Sequence, residues 1–464
     1  VTWPYTKEKK VKLFDPECLY EGETVAAVAA ETPYQAWDAV RAIKVDYEVL
    51  PFVVDERKAL DPQAPPVQPE GNRVRPVEIY ERGDLAKGFA QADLVLEQTY
   101  RTECELHTPM ELHGCVARWE RNLLTIWEST QGVYPVQARV AEVLGLPLSK
   151  VRVIGHYMGG GFGSKLQADK YTIIAALLAK KTGRPVKLFL TREETYLAVG
   201  NRPPSNMKLK AGMKKDGTLT AMHFTCTGTG GAFAAGGTGL VDWLIKELYL
   251  CPNVRTELAD VYINAGLSRP FRAPGHPQGA WALEQMLDAL AEAIGMDPVE
   301  LRLKNIPTFR QTRNGNPPYT TTGLRECLEE GAKAFGWEKA RREIAQNCGG
   351  ENTGRGNGPA RVPPGRDFSR GKSGEHQRHP GLAGHRRAGR GLKDRGLDHD
   401  YGSGRKSAGQ EAVSRLGPGG GRGGQPPVAP SGYPRWEPLP EAPLLVLPRR
   451  IPLPPERRGD LLRF

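Results

Sequence analysis

Along the first 340 residues the apolar positions recur with a period of either two or about 3.6, and the switches between the two mark the elements. Residues 24–30 (TVAAVAA) predict a short buried strand. Thr32-Pro33-Tyr34-Gln35 reads as a capping box with proline at the first helical position. Ala36, Val40 and Ile43 then place an apolar stripe on the helix that follows. Val45, Tyr47 and Val49 alternate with Asp46 and Glu48, the signature of a half-buried strand. Residues 20–55 thus predict strand, helix, strand.

Residues 62–76 carry five prolines and read as a linker. Beyond them, Leu94–Glu103, Cys115–Glu120 and Leu123–Glu128 predict strands, the last two joined by a turn at Arg121-Asn122. Val151–Ile154 predicts a strand feeding the loop Gly155–Lys165, and Ala168–Lys181 a helix stopped at Gly183. Val186, Leu188 and Leu190 alternate as another strand. Lys215-Asp216-Gly217 predicts a hairpin turn between Met207–Met213 and Thr218–Thr227. Pro277–Ile294 predicts a helix ended by Gly295, and Asp297-Pro298-Val299-Glu300 opens another with an N-cap and a first-turn proline. The fold class is α/β, mixed α+β, in two domains.

Composition alters this picture only at the end of the chain. The whole sequence carries 64 basic and 53 acidic residues. Of these, 21 basic and 11 acidic fall in residues 351–464, which leaves a nearly balanced 43 and 42 before them. The same stretch is about half glycine, proline and arginine, and neither period persists in it. Two readings stay open: a disordered basic arm, too poor in apolar surface to offset its chain entropy, or a shifted-frame translation of a GC-rich gene. The charge therefore does not argue for a nucleic-acid binder. The longest apolar run, Ile173–Ala179, is seven residues, and about 20 would be needed to span a bilayer. Seven scattered cysteines without a C-x-x-C pair suit reduced thiols, so a cytoplasmic setting is expected, and they supply no iron–sulfur ligand set.

Three short motifs could carry chemistry. Met158-Gly-Gly-Gly-Phe-Gly-Ser-Lys165 lies between a strand and a helix, where main-chain N–H groups and the helix N-terminus make an anion site. It is neither a Walker A loop nor a dinucleotide fingerprint, and a tight structural turn is the plainer alternative. In Ser268–Gln278, three prolines stiffen a loop in which Arg269 and Arg272 suit an oxyanion, unless either pairs with a local carboxylate. Ser129-Thr-Gln-Gly132 ends a strand, where the Gln131 amide could hydrogen-bond an oxo or carbonyl group. His107-Thr-Pro-Met-Glu-Leu-His-Gly-Cys115 tempts a metal reading, but Pro109 keeps both histidines off one helix and the spacing fits no standard zinc site. A packed, hydrogen-bonded loop is expected there, with no metal held by direct side-chain ligation.

In this order the motifs resemble the molybdenum-binding large subunit of the xanthine dehydrogenase/aldehyde oxidase family of molybdenum hydroxylases. EGETVAAVAAET and the strand at 45–49 look like the latter part of that family's α/β hammerhead domain. HTPMELHGCVARW, STQG, MGGGFGSK, KKTGRPVKLFLTREE, CPNVR, FRAPGHPQ and GMDPVELRLKN are similar to its first cofactor-binding domain. The resemblance implies a partial hammerhead domain at 1–61, the linker at 62–77, a molybdopterin-binding domain at 78–340 and the aberrant or disordered tail at 341–464. It also implies a molybdenum–molybdopterin cofactor, touched by Gln131, Gly161, Phe162, Gly163 and Arg272. Hydroxylation by water would follow, with electrons leaving through an iron–sulfur subunit and an FAD subunit of a hetero-oligomer. Leu166 and Pro274 stand where purine-oxidising members carry Glu and Phe, so an aldehyde, N-heterocycle or aromatic substrate is expected. The family's base glutamate, expected in a G-x-G-E segment after residue 350, has no match, so the catalytic base is unknown. The alternative is an inactive, truncated remnant of such a subunit.

Overall fold

The computed structural model describes residues 1–5, 10–233 and 236–349, together with two three-residue strands at Leu444–Val446 and Leu461–Arg463. The readings of the tail as disordered or frame-shifted otherwise lie outside the described residues.

Two sheets carry the chain. A five-stranded sheet runs in the order Glu78–Arg82, Asn253–Val261, Leu219–Thr229, Ser205–Met213, Leu94–Thr102. All its pairings are antiparallel except the parallel pair Leu219–Thr229 with Asn253–Val261. The Lys215–Gly217 turn closes its central hairpin, with the Gly217 N–H donating to the Lys214 carbonyl at 2.9 Å. The helix His276–Ile294 lays Ala282, Leu283, Met286, Leu287 and Leu290 into the same core as Met207, Leu209 and Phe224 of the sheet. Its successor, Pro298–Lys304, is capped by Asp297, whose carboxylate accepts from the main-chain N–H groups of Val299 and Glu300.

The second sheet positions the site. Its order is Val28–Ala29, Leu444–Val446, Val186–Phe189, Gly114–Glu120, Leu123–Glu128, Val151–Ile154. Leu123–Glu128 and Val151–Ile154 are parallel, and the helix Val133–Leu144 connects them. The helix Lys170–Thr182, buried from Lys170 to Ala176, packs on the same sheet, and Trp119 Nε1 donates to its Ala176 carbonyl at 2.8 Å. Gly114–Glu120 runs antiparallel to Leu123–Glu128 and to Val186–Phe189. Four chain segments therefore gather at one edge: those leaving Glu128, Ile154 and Phe189, and the one entering Gly114. Ligands of α/β sheets sit at the carboxyl ends of parallel strands, which is this edge.

The capping box at Thr32 and Gln35 forms as its sequence predicts, and the helix Pro33–Ala42 buries Ala36 and Val40. The flanking strands are shorter than expected. Only Val28 and Ala29 of residues 24–30 enter a ladder, opposite Val446 and Leu445. Val45, Tyr47 and Val49 are half-buried between exposed neighbours, as their alternation requires, yet pairing covers only Glu48–Leu50. The helix Val133–Leu144 has no counterpart among the expected elements. It starts at Gly132 without a side-chain cap and carries Pro135 in its first turn, so its opening lacks the usual polar signal.

Candidate cofactor site

The Gly155–Lys165 loop folds back on the segment after Glu128. Gln131 is the hinge of that contact. Its main-chain N–H donates to the Lys165 carbonyl at 2.8 Å. Its side-chain Oε1 accepts from the N–H of Gly163 at 2.8 Å and of Lys165 at 3.3 Å. Both partners are donors, so the oxygen is fixed by chemistry and the Nε2 amide is turned the other way. No residue among those described takes that amide, and the residue is exposed. A free, oriented donor stands where the sequence placed one.

The loop needs its glycines for space as well as for backbone freedom. A Cβ on Gly161 would lie 2.5 Å from Gln131 Oε1, and one on Gly163 would lie 2.0 Å from the Pro270 carbonyl oxygen. Gly163 has φ 114° and Phe162, between the two, has φ 53°. Phe162 presents a ring that is 44% exposed, while its carbonyl accepts from the Arg272 N–H at 3.0 Å. The two sequence motifs thus meet main chain to main chain. Gln131 grips one neighbour of Phe162, and Arg272 grips Phe162 itself.

Arg272 and Arg269 divide as the two readings of that loop allowed. Arg269 is buried and donates to Asp169 at 2.7 Å, so it serves a local carboxylate. Arg272 is exposed, and no acceptor among the described residues takes its guanidinium. Asp169 also corrects the anion-site reading of the glycine loop. The helix begins at Lys170, two residues later than expected, and the Asp169 carboxylate caps its N-terminus. That end of the dipole is already occupied by a carboxylate, so the free donors here are side chains and loop main chain.

Lys165 is the other surprise. Its side chain is wholly buried, and Nζ donates to the Glu111 carbonyl at 3.0 Å, Ser129 Oγ at 2.8 Å and Glu111 Oε2 at 3.2 Å. Glu111 also accepts from Ser129 Oγ and from the Gly159 N–H at 2.7 Å. Burial pushes the Glu111 carboxyl up, but these bonds outweigh it and hold the group below its ordinary range. Burial lowers Lys165, with Glu111 opposing. This lysine ties the loop down and is not available to a phosphate.

The His107–Cys115 segment is a packed loop. His107 Nε2 lies 2.8 Å from the Pro270 carbonyl, and its ring sits 4.6 Å from that of Phe271. His113 Nε2 meets Ser164 Oγ at 3.0 Å, and since that hydroxyl donates to Gly161, the histidine carries its proton on Nε2. Burial first, then the Lys165 charge, push His113 down to about 3. Cys115 is buried in the sheet. Each side chain has a different partner, and among the described residues no group of three His, Cys, Asp or Glu could hold a metal ion.

Beneath the edge lies Glu128, which sequence reasoning missed because nothing local marks it. It is buried, and Oε1 accepts from Tyr171 Oη at 3.0 Å and Thr172 Oγ1 at 2.9 Å, while Oε2 has no partner. Burial pushes its carboxyl up to about 8 despite those bonds. Leu166 and Pro274 are both exposed, one residue after Lys165 and two after Arg272 in the chain.

Comparison with known proteins gives the family of the chain. The molybdopterin cofactor-binding domain family matches residues 67–306. The chain is 37% identical over 300 residues to a probable xanthine dehydrogenase subunit of Bacillus subtilis, covering 63% of this chain and 40% of that protein. It is 34% identical over 338 residues to the nicotinate dehydrogenase large molybdopterin subunit of Eubacterium barkeri, covering 71% of this chain and 79% of that one. Among solved structures, quinoline 2-oxidoreductase of Pseudomonas putida 86 superimposes with a TM-score of 0.66 at 25% identity, covering 75% of this chain and 45% of that one. The chain spans less than half the length of several relatives and most of the length of one. Among the described residues no helix is long and apolar enough to cross a membrane. Matched over more than half its length, the chain belongs to the molybdenum hydroxylase family, among the molybdopterin-binding large subunits of xanthine dehydrogenase and aldehyde oxidase type.

Proposed function

We propose that this chain holds a molybdenum–molybdopterin cofactor at the edge formed by Gln131, Gly161, Phe162, Gly163 and Arg272, and acts as the hydroxylating subunit of a larger oxidoreductase. The observation that carries this is the pair of unengaged donors, the Gln131 amide and the Arg272 guanidinium, fastened on either side of Phe162. An oxo-metal group wants an amide donor, and an anionic group wants a guanidinium. Bare main chain at Gly161 and Gly163 lets a bulky group come close. When bound, the cofactor supplies the two-electron oxidation and draws its oxygen from water. The chain's own part is to orient that group, to counter its charge through Arg272, and to bound the substrate with Leu166 and Pro274.

Neither Leu166 nor Pro274 can ionise, and neither is the Glu or Phe of purine-oxidising relatives. This supports an aldehyde, N-heterocycle or aromatic substrate. The described residues include no cluster-binding cysteine set, so electrons would leave through iron–sulfur and FAD subunits of a hetero-oligomer. The test is co-expression with such subunits and assay of acceptor reduction on aldehydes, N-heterocycles and xanthine. Turnover of the first two classes well above xanthine is the expected result. Preference for xanthine would overturn the substrate class, and a molybdenum-loaded complex that oxidises none of them would overturn the reading.

A further inference from the structure

The loop that carries Arg272 is held in an unfavourable shape. Arg272 has φ 26° and Ala273 φ 60°, two successive residues with side chains in the left-handed region, followed by Gly275 at φ 78°. Such conformations persist only where the surroundings over-determine them. The restraint is visible in three successive carbonyls. Pro270 accepts from His107, while Phe271 and Arg272 both accept from Nη2 of Arg202, the latter at 2.8 Å.

Arg202 is itself fixed. It is buried, its guanidinium lies 4.6 Å from the Phe271 ring centroid, and Nη1 is 3.5 Å from Glu105. Its main chain exchanges hydrogen bonds with Glu105 at 2.9 and 3.0 Å. Arg269 N–H donates to the Asn201 carbonyl at 2.8 Å, which ties the start of the loop to the same segment. Nη2 of Arg202 is thereby committed to two adjacent carbonyls of the loop.

We infer that Arg202 is a positioning residue whose buried guanidinium, with His107 alongside, holds the 270–273 main chain in the one conformation that presents the Arg272 side chain outward. The inference rests on the reading of Arg272 as the cofactor-facing cation, but its test reads the loop itself, so the two can fail separately. Lysine at 202 keeps the charge and loses the planar fork and the stack on Phe271.

The experiment uses the full chain, with no cofactor required. Trypsin cuts after arginine in an extended segment, and the Arg272–Ala273 bond is a substrate only when the loop lets go. Arg202→Lys should speed cleavage at that bond, and hydrogen exchange of the Arg272 amide, by about tenfold or more while exchange in Leu219–Thr229 stays unchanged. In Arg202→Ala, added guanidinium should restore protection at Arg272, a rescue that general loss of stability would not show. Cleavage and exchange at parent rates in Arg202→Lys, or no rescue in Arg202→Ala, would overturn the proposal. Should both variants fail to fold, Phe271→Leu, which removes only the ring beside the Arg202 guanidinium, decides: faster cleavage at Arg272–Ala273 than in the parent supports the restraint, and cleavage at the parent rate refutes it.

Discussion

The Gly155–Lys165 and Ser268–Gln278 loops meet at Phe162 and Arg272, yet they keep their shapes by opposite means. The glycine loop is fastened from inside: its own Lys165 turns inward to Glu111 and Ser129, and its Gly163 closes on Gln131. The proline-rich loop is fastened from outside, by His107 and Arg202 donating to its carbonyls. As a result the first spends its cation on the fold and the second keeps one free. A lysine or arginine in a motif is therefore not evidence of ligand binding until its partners are known.

The largest expected effect breaks the inside fastening. Lys165→Met takes the buried ammonium from the Glu111 carbonyl and leaves the part-exposed Glu111 carboxylate only Ser129 Oγ and the Gly159 N–H, which should cost roughly 3 kcal/mol, read by urea unfolding. A loss below about 1 kcal/mol would mean that Glu111 finds water instead. Gly163→Ala attacks the contact between the loops. Its Cβ would meet the Pro270 carbonyl at 2.0 Å with φ at 114°, so a loss of about 2–3 kcal/mol is expected in the same assay.

A pH-dependent effect lies beneath the edge. The Glu128 carboxyl titrates at about 8 in the folded chain and near 4.3 when unfolded. Between those values the folded chain keeps a proton that the unfolded chain releases. The stability this group contributes is full below the lower value and is lost as pH rises through the higher. Glu128→Gln should remove that loss, so thermal unfolding of the variant relative to the parent should move in the variant's favour from pH 5 to pH 8. A constant difference would show that Glu128 is ionised throughout. The smallest effect is on Arg272. Arg272→Met removes an exposed side chain without partners, and stability should change by less than about 0.5 kcal/mol.

These differences also explain what was legible in the sequence. Gln131 at a strand end and Arg272 in a proline-rich loop carry local signals that survive without a structure, and Phe162 came from the resemblance to the family. The strand spans also followed local periodicity, except near residues 24–30, where only Val28 and Ala29 pair. What holds the site was not legible. Lys165 reaches Glu111 across 54 residues and Arg202 reaches Arg272 across 70, and no spacing rule encodes a contact made by topology. Glu128 was silent for the same reason, since its partners Tyr171 and Thr172 lie 43 and 44 residues away. The start of the helix at Lys170 carries a local signal, the cap made by Asp169 with Thr172, whereas the ion pair of Asp169 with an arginine 100 residues later carries none.

We propose that the Gln131 amide and the Arg272 guanidinium, both unengaged among the described residues, hold the cofactor, while the buried Lys165 and Arg202 shape the site. Reconstitution of the purified chain with molybdenum cofactor released from a donor enzyme, followed by elemental and pterin analysis, tests it directly. The parent should retain molybdenum and pterin together, Gln131→Leu and Arg272→Met should each retain at most about a tenth as much, the loss of one charge-assisted hydrogen bond, and all three should unfold alike. A parent that retains neither, or variants that retain the parent's share, would contradict the account.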